Sequence, residues 1–170
     1  MSINIRLISK HDLSAIVTIQ DTCYGNELFE DASLIQRRLL SQPDSCWLAE
    51  SSSGEVLAYL FSYPSCDKQV AALGSEFSRY TQAELLYLHD MAVSQNARGL
   101  GLASRLLNCA ERYAMQLGLS RLALVAVQGS VPYWQKQGFV VVSLCDTAAL
   151  QALASYTGQD ARYMQKSLAR

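Results

Sequence analysis

Apolar and polar residues alternate from Ile3 to Ile8, the period of a strand with one wet face. Ser9 or Asp12 then stands where a cap belongs, ahead of a helix carrying Leu13, Ile16, Val17, Ile19 and Gln20. A second short helix is expected over Asp31–Leu40, with Leu34, Ile35, Leu39 and Leu40 on its apolar side. Cys23–Phe29 between them reads as a loop with two exposed aromatic residues, Tyr24 and Phe29. Trp47–Glu50 and Val56–Phe61 form the arms of a hairpin turned by Ser52-Ser53-Gly54, and Pro64 is expected to end the second arm. Ser65–Ala83 is polar and weakly periodic, and so long a connection points to a functional or mobile segment.

Leu85–Val93 has a different pattern. Strict alternation puts Leu85, Tyr87, Met91 and Val93 on one face and Leu86, Leu88 and Ala92 on the other. A strand apolar on both faces sits inside a sheet that is covered on both sides. His89 and Asp90 interrupt it: alternation places His89 with Met91, and Asp90 opposite, tying down a neighbouring loop. A helical stripe runs over Ala103–Leu117 and stops at Gly118. Leu122–Val127 is a second buried strand. Ser130, Pro132 and Gly138 frame a short helix. Phe139–Leu144 then reads as a strand, Thr147–Tyr156 as a helix and Tyr163–Leu168 as a last strand. Antiparallel hairpins mixed with strand–helix–strand units give an α/β (α+β) fold with a mixed central sheet flanked by helices.

Composition narrows the class. The chain has 170 residues, enough for one domain over 1–170 with an unstapled core. Half the residues are apolar, which excludes a disordered chain. The net charge of -1 argues against a wide nucleic-acid grip. No apolar run is long enough to span a membrane, and the N-terminus lacks the pattern of a signal peptide. Five cysteines without a close pair, and only His11 and His89 as histidines, leave no metal-ligand spacing. Reduced thiols in the cytoplasm are the expectation.

The stretch that carries chemistry is Arg98-Gly99-Leu100-Gly101-Leu102-Ala103-Ser104, between a buried strand and an amphipathic helix. Glycines there let the backbone turn tightly and approach a ligand closely. Free N–H groups of the first helical turn, with the helix dipole and Arg98, would hold a phosphate. A plain tight turn has the same spacing. The third glycine of a dinucleotide fingerprint and the lysine of a P-loop are both absent.

Leu88-His89-Asp90-Met91-Ala92-Val93, followed by Arg98 to Ala103, resembles the acetyl-CoA signature of the GCN5-related N-acetyltransferase superfamily. That signature is a strand, then R/Q-x-x-G-x-G/A, then a helix; Arg98, Gly101 and Ala103 fill its fixed positions. Tyr133-Trp134-Gln135-Lys136-Gln137-Gly138-Phe139 is similar to the family's FYEKLGF-like segment. The resemblance implies that the Leu85–Val93 and Leu122–Val127 strands splay apart and that acetyl-CoA is the acyl donor. Its pantetheine arm would pair with the backbone at Met91, Ala92 and Val93, and its pyrophosphate would rest on Arg98, Gly99, Leu100, Gly101, Leu102, Ala103 and Ser104. The N–H of Met91 would polarise the thioester carbonyl.

The same resemblance makes His89 the base that takes the proton of the incoming amine. The family's general-acid tyrosine is replaced by Trp134, and Val127 stands where an asparagine is frequent. Protonation of the leaving thiolate then falls to Tyr133, water or another tyrosine. Tyr24, Glu27 and Phe29, with Glu30 and Asp31 beside them, are the candidates for holding a cationic or aromatic amine. The expected partner is a small-molecule amine, without metal, nucleic acid or membrane; a homodimer is compatible with the fold. Two rival readings are a non-catalytic acyl-CoA-binding module and an interaction protein whose cleft is filled.

Overall fold

In the computed structural model, which describes residues 2–168, a seven-stranded sheet organises the chain. The strands β1 (Ile3–Leu7), β2 (Cys46–Ser51) and β3 (Val56–Ser65) form an antiparallel meander, and β4 (Leu85–Val93) pairs antiparallel with β3. Next comes β5 (Arg121–Ala126), parallel to β4. The short β6 (Val140–Val141) closes the far edge on β7 (Arg162–Ser167), which runs antiparallel to β5. The sheet is mixed and helices flank it, as the sequence pattern implies.

Two helices, α1 (Leu13–Cys23) and α2 (Ala32–Ser41), cover one face. Their Ile16, Ile19, Ile35 and Leu39 pack on Leu48, Tyr59, Phe61, Tyr63, Leu85 and Tyr87. The long α3 (Leu102–Gln116) covers the other face, and its Leu102, Leu106, Leu107, Ala110 and Ala114 meet Leu60, Leu86, Leu88, Leu122 and Leu124. The short α4 (Val131–Lys136) adds Trp134 to that side, and α5 (Thr147–Ala154) precedes β7. Leu106 is completely buried; truncating such a side chain to alanine costs about 2–5 kcal/mol.

Two expectations change. Pro64 lies within β3, opposite Leu86, and does not end it. The ladder with β2 stops at Phe61, so the missing N–H of Pro64 falls where β3 has no outer strand to bond. The strand expected over Phe139–Leu144 shrinks to Val140–Val141, because Phe139 is drawn into the core while both valines lie exposed on the sheet edge. The connection 66–84 is irregular, and it sends Ala71 and Phe77 into the core on the α1–α2 side.

The ladder between β4 and β5 runs only from Leu85–Arg121 to Leu88–Leu124. Both strands continue beyond it, so they part at their C-terminal ends. A bulge in β4 marks the same place: Leu88 opposes Ser62 and Asp90 opposes Phe61, leaving His89 as the extra residue.

Candidate active site

The bulge at His89 changes which side chains share a face. Leu85 and Tyr87 pack toward α1 and α2, and His89 follows them, its ring 5.4 Å from that of Phe77. Asp90 lies on this face too, bonded to Tyr59 and Tyr24. Met91 and Val93 turn to the α3 side with Leu86 and Leu88. Strict alternation therefore fails in two places: His89 does not share a face with Met91, and Asp90 is not opposite His89. The reason is the single inserted residue, which flips every position after it.

Where β4 and β5 part there is an open cleft of about 370 Å³. Met91, Ala92, Val93, Arg98 and Ala103 line it from the β4–α3 side, with His89, Asp90, Tyr24 and Cys23 deeper in. Leu124, Val127, Tyr133 and Trp134 form the opposite wall. The cleft is not filled by the chain's own side chains. Among the described residues, no group of three or more His, Cys, Asp or Glu could hold a metal ion.

At the mouth, Gly99 (φ 83°) and Gly101 (φ 71°) adopt left-handed backbone. Nothing lies within 4 Å of where a Cβ at either position would project. The first α3 bond runs from the Arg105 N–H to the Gly101 carbonyl at 3.1 Å. The N–H groups of Leu102, Ala103 and Ser104 precede that bond, so they have no acceptor within the helix. Leu102 itself is buried in the core, and Leu100 is exposed beyond the cleft.

The deep end holds two polar clusters. In the first, Glu30 takes both terminal nitrogens of Arg38 at 2.6 Å, the Gly74 N–H at 2.8 Å and His89 Nε2 at 3.2 Å. All three side chains are nearly inaccessible. Burial alone would raise the Glu30 carboxyl; His89 and Arg38 outweigh it and hold Glu30 well below the usual carboxylate range. The ionised Glu30 is an acceptor only, so His89 donates through Nε2–H. Nδ1 of His89 is buried and has no partner.

In the second cluster, Tyr59 donates to Asp90 Oδ2 at 2.9 Å. Tyr24 Oη lies 2.9 Å from Asp90 Oδ1 and 2.9 Å from the Met91 carbonyl. Burial raises the Asp90 carboxyl above its ordinary value, and the nearby Glu30 charge adds to this against the opposing pull of His89, Tyr59 and Tyr24. The Cys23 thiol donates to the Val93 carbonyl at 3.2 Å. Side chains from the end of α1 thus already satisfy two carbonyls on the free edge of β4.

The remaining candidates separate. Tyr24 is at the site with its hydroxyl buried, not exposed as the loop pattern suggests. Glu27 lies outside the cleft and accepts from Gln159 at 3.0 Å. Phe29 is exposed, also outside the cleft. Tyr133 is exposed on the cleft wall, and Trp134 packs against Phe139. Arg38, Tyr59 and Cys23 are not singled out by sequence reasoning. Arg38 had a signal: it stands at 34, 35, 38, 39 spacing in the apolar stripe of α2, the mark of a buried cation.

The sequence matches the Acetyltransferase (GNAT) family over residues 13–139. No curated protein matches it. Among solved structures it is similar to the loading GNATL domain of CurA from Lyngbya majuscula, at 14% identity and TM-score 0.76 over 98% of each chain. It is similar to Ard1 from Thermoplasma volcanium, at 14% identity and TM-score 0.74 over 100% of each chain. An acetyltransferase of the GNAT family from Staphylococcus aureus matches at 13% identity and TM-score 0.72, covering 99% of this chain and 100% of that one.

Proposed function

Because the chain belongs to the GNAT acetyltransferase family, we propose that it moves an acetyl group from acetyl-CoA to a primary amine, by direct attack within a ternary complex. The observation that carries this reading is the end of the β4–β5 ladder at Leu88 and Leu124, with a glycine-opened helix N-terminus at the mouth of the gap. A free strand edge supports an extended arm, and the turn at Gly99 and Gly101 supports a phosphate seat. Arg98 and the N–H groups from Leu102 to Ser104 would hold the diphosphate. The edge at Met91, Ala92 and Val93 would hold the pantetheine. Since the Met91 and Val93 carbonyls already accept from Tyr24 and Cys23, the N–H groups of that edge carry most of the pairing.

Bound acetyl-CoA supplies the activated acyl group; the chain supplies position and proton transfer. The N–H of Met91 would polarise the acyl oxygen. His89, held by Glu30 through Nε2, offers Nδ1 to take the proton of the attacking nitrogen. Protonation of the departing sulfur falls to a hydroxyl that lines the cleft, Tyr133 or Tyr24. The acceptor would approach from the α1–α2 side, where Leu28, Leu73, Val125, Val127 and Tyr156 surround Glu30 and Asp90 in an extension of the cleft. A small amine with an apolar body suits those walls better than a long peptide lysine.

Isothermal titration with acetyl-CoA, followed by thiol release across a panel of small amines and peptides, tests the proposal. Binding with thiol release supports an enzyme. Binding without release on any amine favours an acyl-CoA-binding module, and absence of binding overturns both.

A further inference from the structure

Tyr24 has one hydroxyl proton and two acceptors, since its Oη lies 2.9 Å from both Asp90 Oδ1 and the Met91 carbonyl. Tyr59 already supplies its own proton to Asp90 Oδ2. Were Asp90 ionised, one of the two Tyr24 contacts would set lone pair against lone pair in a buried site. A proton on Asp90 Oδ1 removes the conflict. Asp90 then donates to Tyr24, Tyr24 donates to the Met91 carbonyl, and Tyr59 donates to Asp90, so every contact pairs a donor with an acceptor.

We propose that Asp90 is a neutral carboxylic acid at neutral pH, and that Asp90 and Tyr24 form the relay that protonates the leaving thiolate. The second half rests on the acetyl-transfer reading above. Tyr24 lines the cleft beside Met91, where that reading places the thioester. Trp134 cannot fill the acid role, and the exposed Tyr133 has no hydrogen-bonded side chain among the described residues that could return a proton. Tyr24 has such a supply. When the C–S bond breaks, its electron pair goes to sulfur. Tyr24 gives its proton to that sulfur and takes the Asp90 proton in its place. His89 accepts the proton that nitrogen loses on becoming an amide, and its release restores the Asp90 carboxyl. One proton leaves nitrogen and one reaches sulfur, and the protein ends as it began.

The groups facing this pair come from several elements: Cys23 on α1, Glu30 ahead of α2, Tyr59 on β3 and His89 on β4. The buried position that raises the carboxyl of Asp90 agrees with the proton count.

Two measurements separate the halves. The infrared spectrum of the parent protein at pH 7 should show a buried carboxylic-acid carbonyl band that is missing in Asp90→Asn. Asparagine can donate to Tyr24 as a protonated aspartic acid does, so Asp90→Asn should be at least as stable as the parent at pH 7. No such band, together with a destabilised Asp90→Asn protein, overturns the proton assignment without reference to acetyl-CoA. In the second measurement, Tyr24→Phe and Asp90→Asn should each lower kcat about 10²-fold, with acetyl-CoA affinity changed less than about threefold. Tyr133→Phe should lower it less than either. Parent-like turnover in the folded Tyr24→Phe or Asp90→Asn protein overturns the relay, and so does a larger loss in Tyr133→Phe. A parent protein inert on every amine defeats the acetyl-transfer reading and the relay with it, while the infrared band still decides the proton.

Discussion

Nε2 of His89 lies 3.2 Å from Oε1 of Glu30, in a part of the protein where neither side chain reaches solvent. Glu30 stands just ahead of α2, and His89 is the bulged residue of β4. The contact joins β4, next to the point where it parts from β5, to the segment ahead of the helix that covers the same face. It also fixes the ring, so that Nδ1 is the nitrogen left over.

Arg38 is what allows Glu30 to be there. Both its terminal nitrogens bond the carboxylate at 2.6 Å, and its Nε bonds the Ser75 carbonyl at 2.9 Å. Removing one partner of a buried ion pair costs about 3–5 kcal/mol. Arg38→Leu should lose stability of that order in urea denaturation. It should also loosen the segment around Gly74 and Ser75, seen as faster amide exchange there. A loss under 1 kcal/mol would mean that the pair is dispensable.

The Glu30 carboxyl is held below its ordinary value by His89 and Arg38, which outweigh its burial. The unfolded chain then binds more protons than the folded one as the pH drops through the carboxylate range. The stabilisation is complete above the unfolded value of about 4.3 and is lost as the pH falls below it toward the folded one. Stability measured by denaturant midpoint from pH 7 to pH 3 should decline more steeply in the parent than in Glu30→Gln. Parallel curves would count against an ionised Glu30.

Gly101 begins α3 at φ 71°, with open space in front of it. Gly101→Glu should abolish acetyl-CoA binding in calorimetry, because a side chain and a negative charge would occupy the proposed phosphate seat. Arg98→Ala should weaken binding about tenfold to a hundredfold if its guanidinium meets phosphate. Parent-like affinity in a folded Gly101→Glu protein would move the anion elsewhere.

For His89 the expected loss of turnover in His89→Ala is about 10²-fold, with acetyl-CoA affinity nearly unchanged. Activity should recover at alkaline pH, where more of the amine arrives neutral. Because the ring also bonds Glu30, His89→Gln serves as a control: it can keep a donor to Glu30 while lacking a base. Turnover restored by glutamine would make His89 structural.

Along β4, part of the geometry is written in the local pattern and part is not. Its bounds, Leu85–Val93, follow from an apolar run flanked by polar segments, and burial on both faces follows from its composition. The helix stripe of α3 and the glycines ahead of it were equally legible, because a 3.6-residue period and a need for left-handed backbone both leave marks in local sequence. The facing of Asp90 and Met91 relative to His89 was not. Two adjacent polar residues fit alternation in either sense, and the bulge that turns Asp90 is set by how β4 registers on β3.

The sequence by itself determined most of the elements, the mixed sheet they form and the place where a glycine turn opens a helix behind a buried strand. These depend on residues close together in the chain, whose spacing records their geometry. Only the tertiary structure decided which polar groups share the cleft. Tyr24 and Asp90 are 66 residues apart, and Glu30 and His89 are 59 apart. Burial made their pairing obligatory, because a carboxylate or hydroxyl removed from water must find a partner, and the partner can come from anywhere the fold brings close.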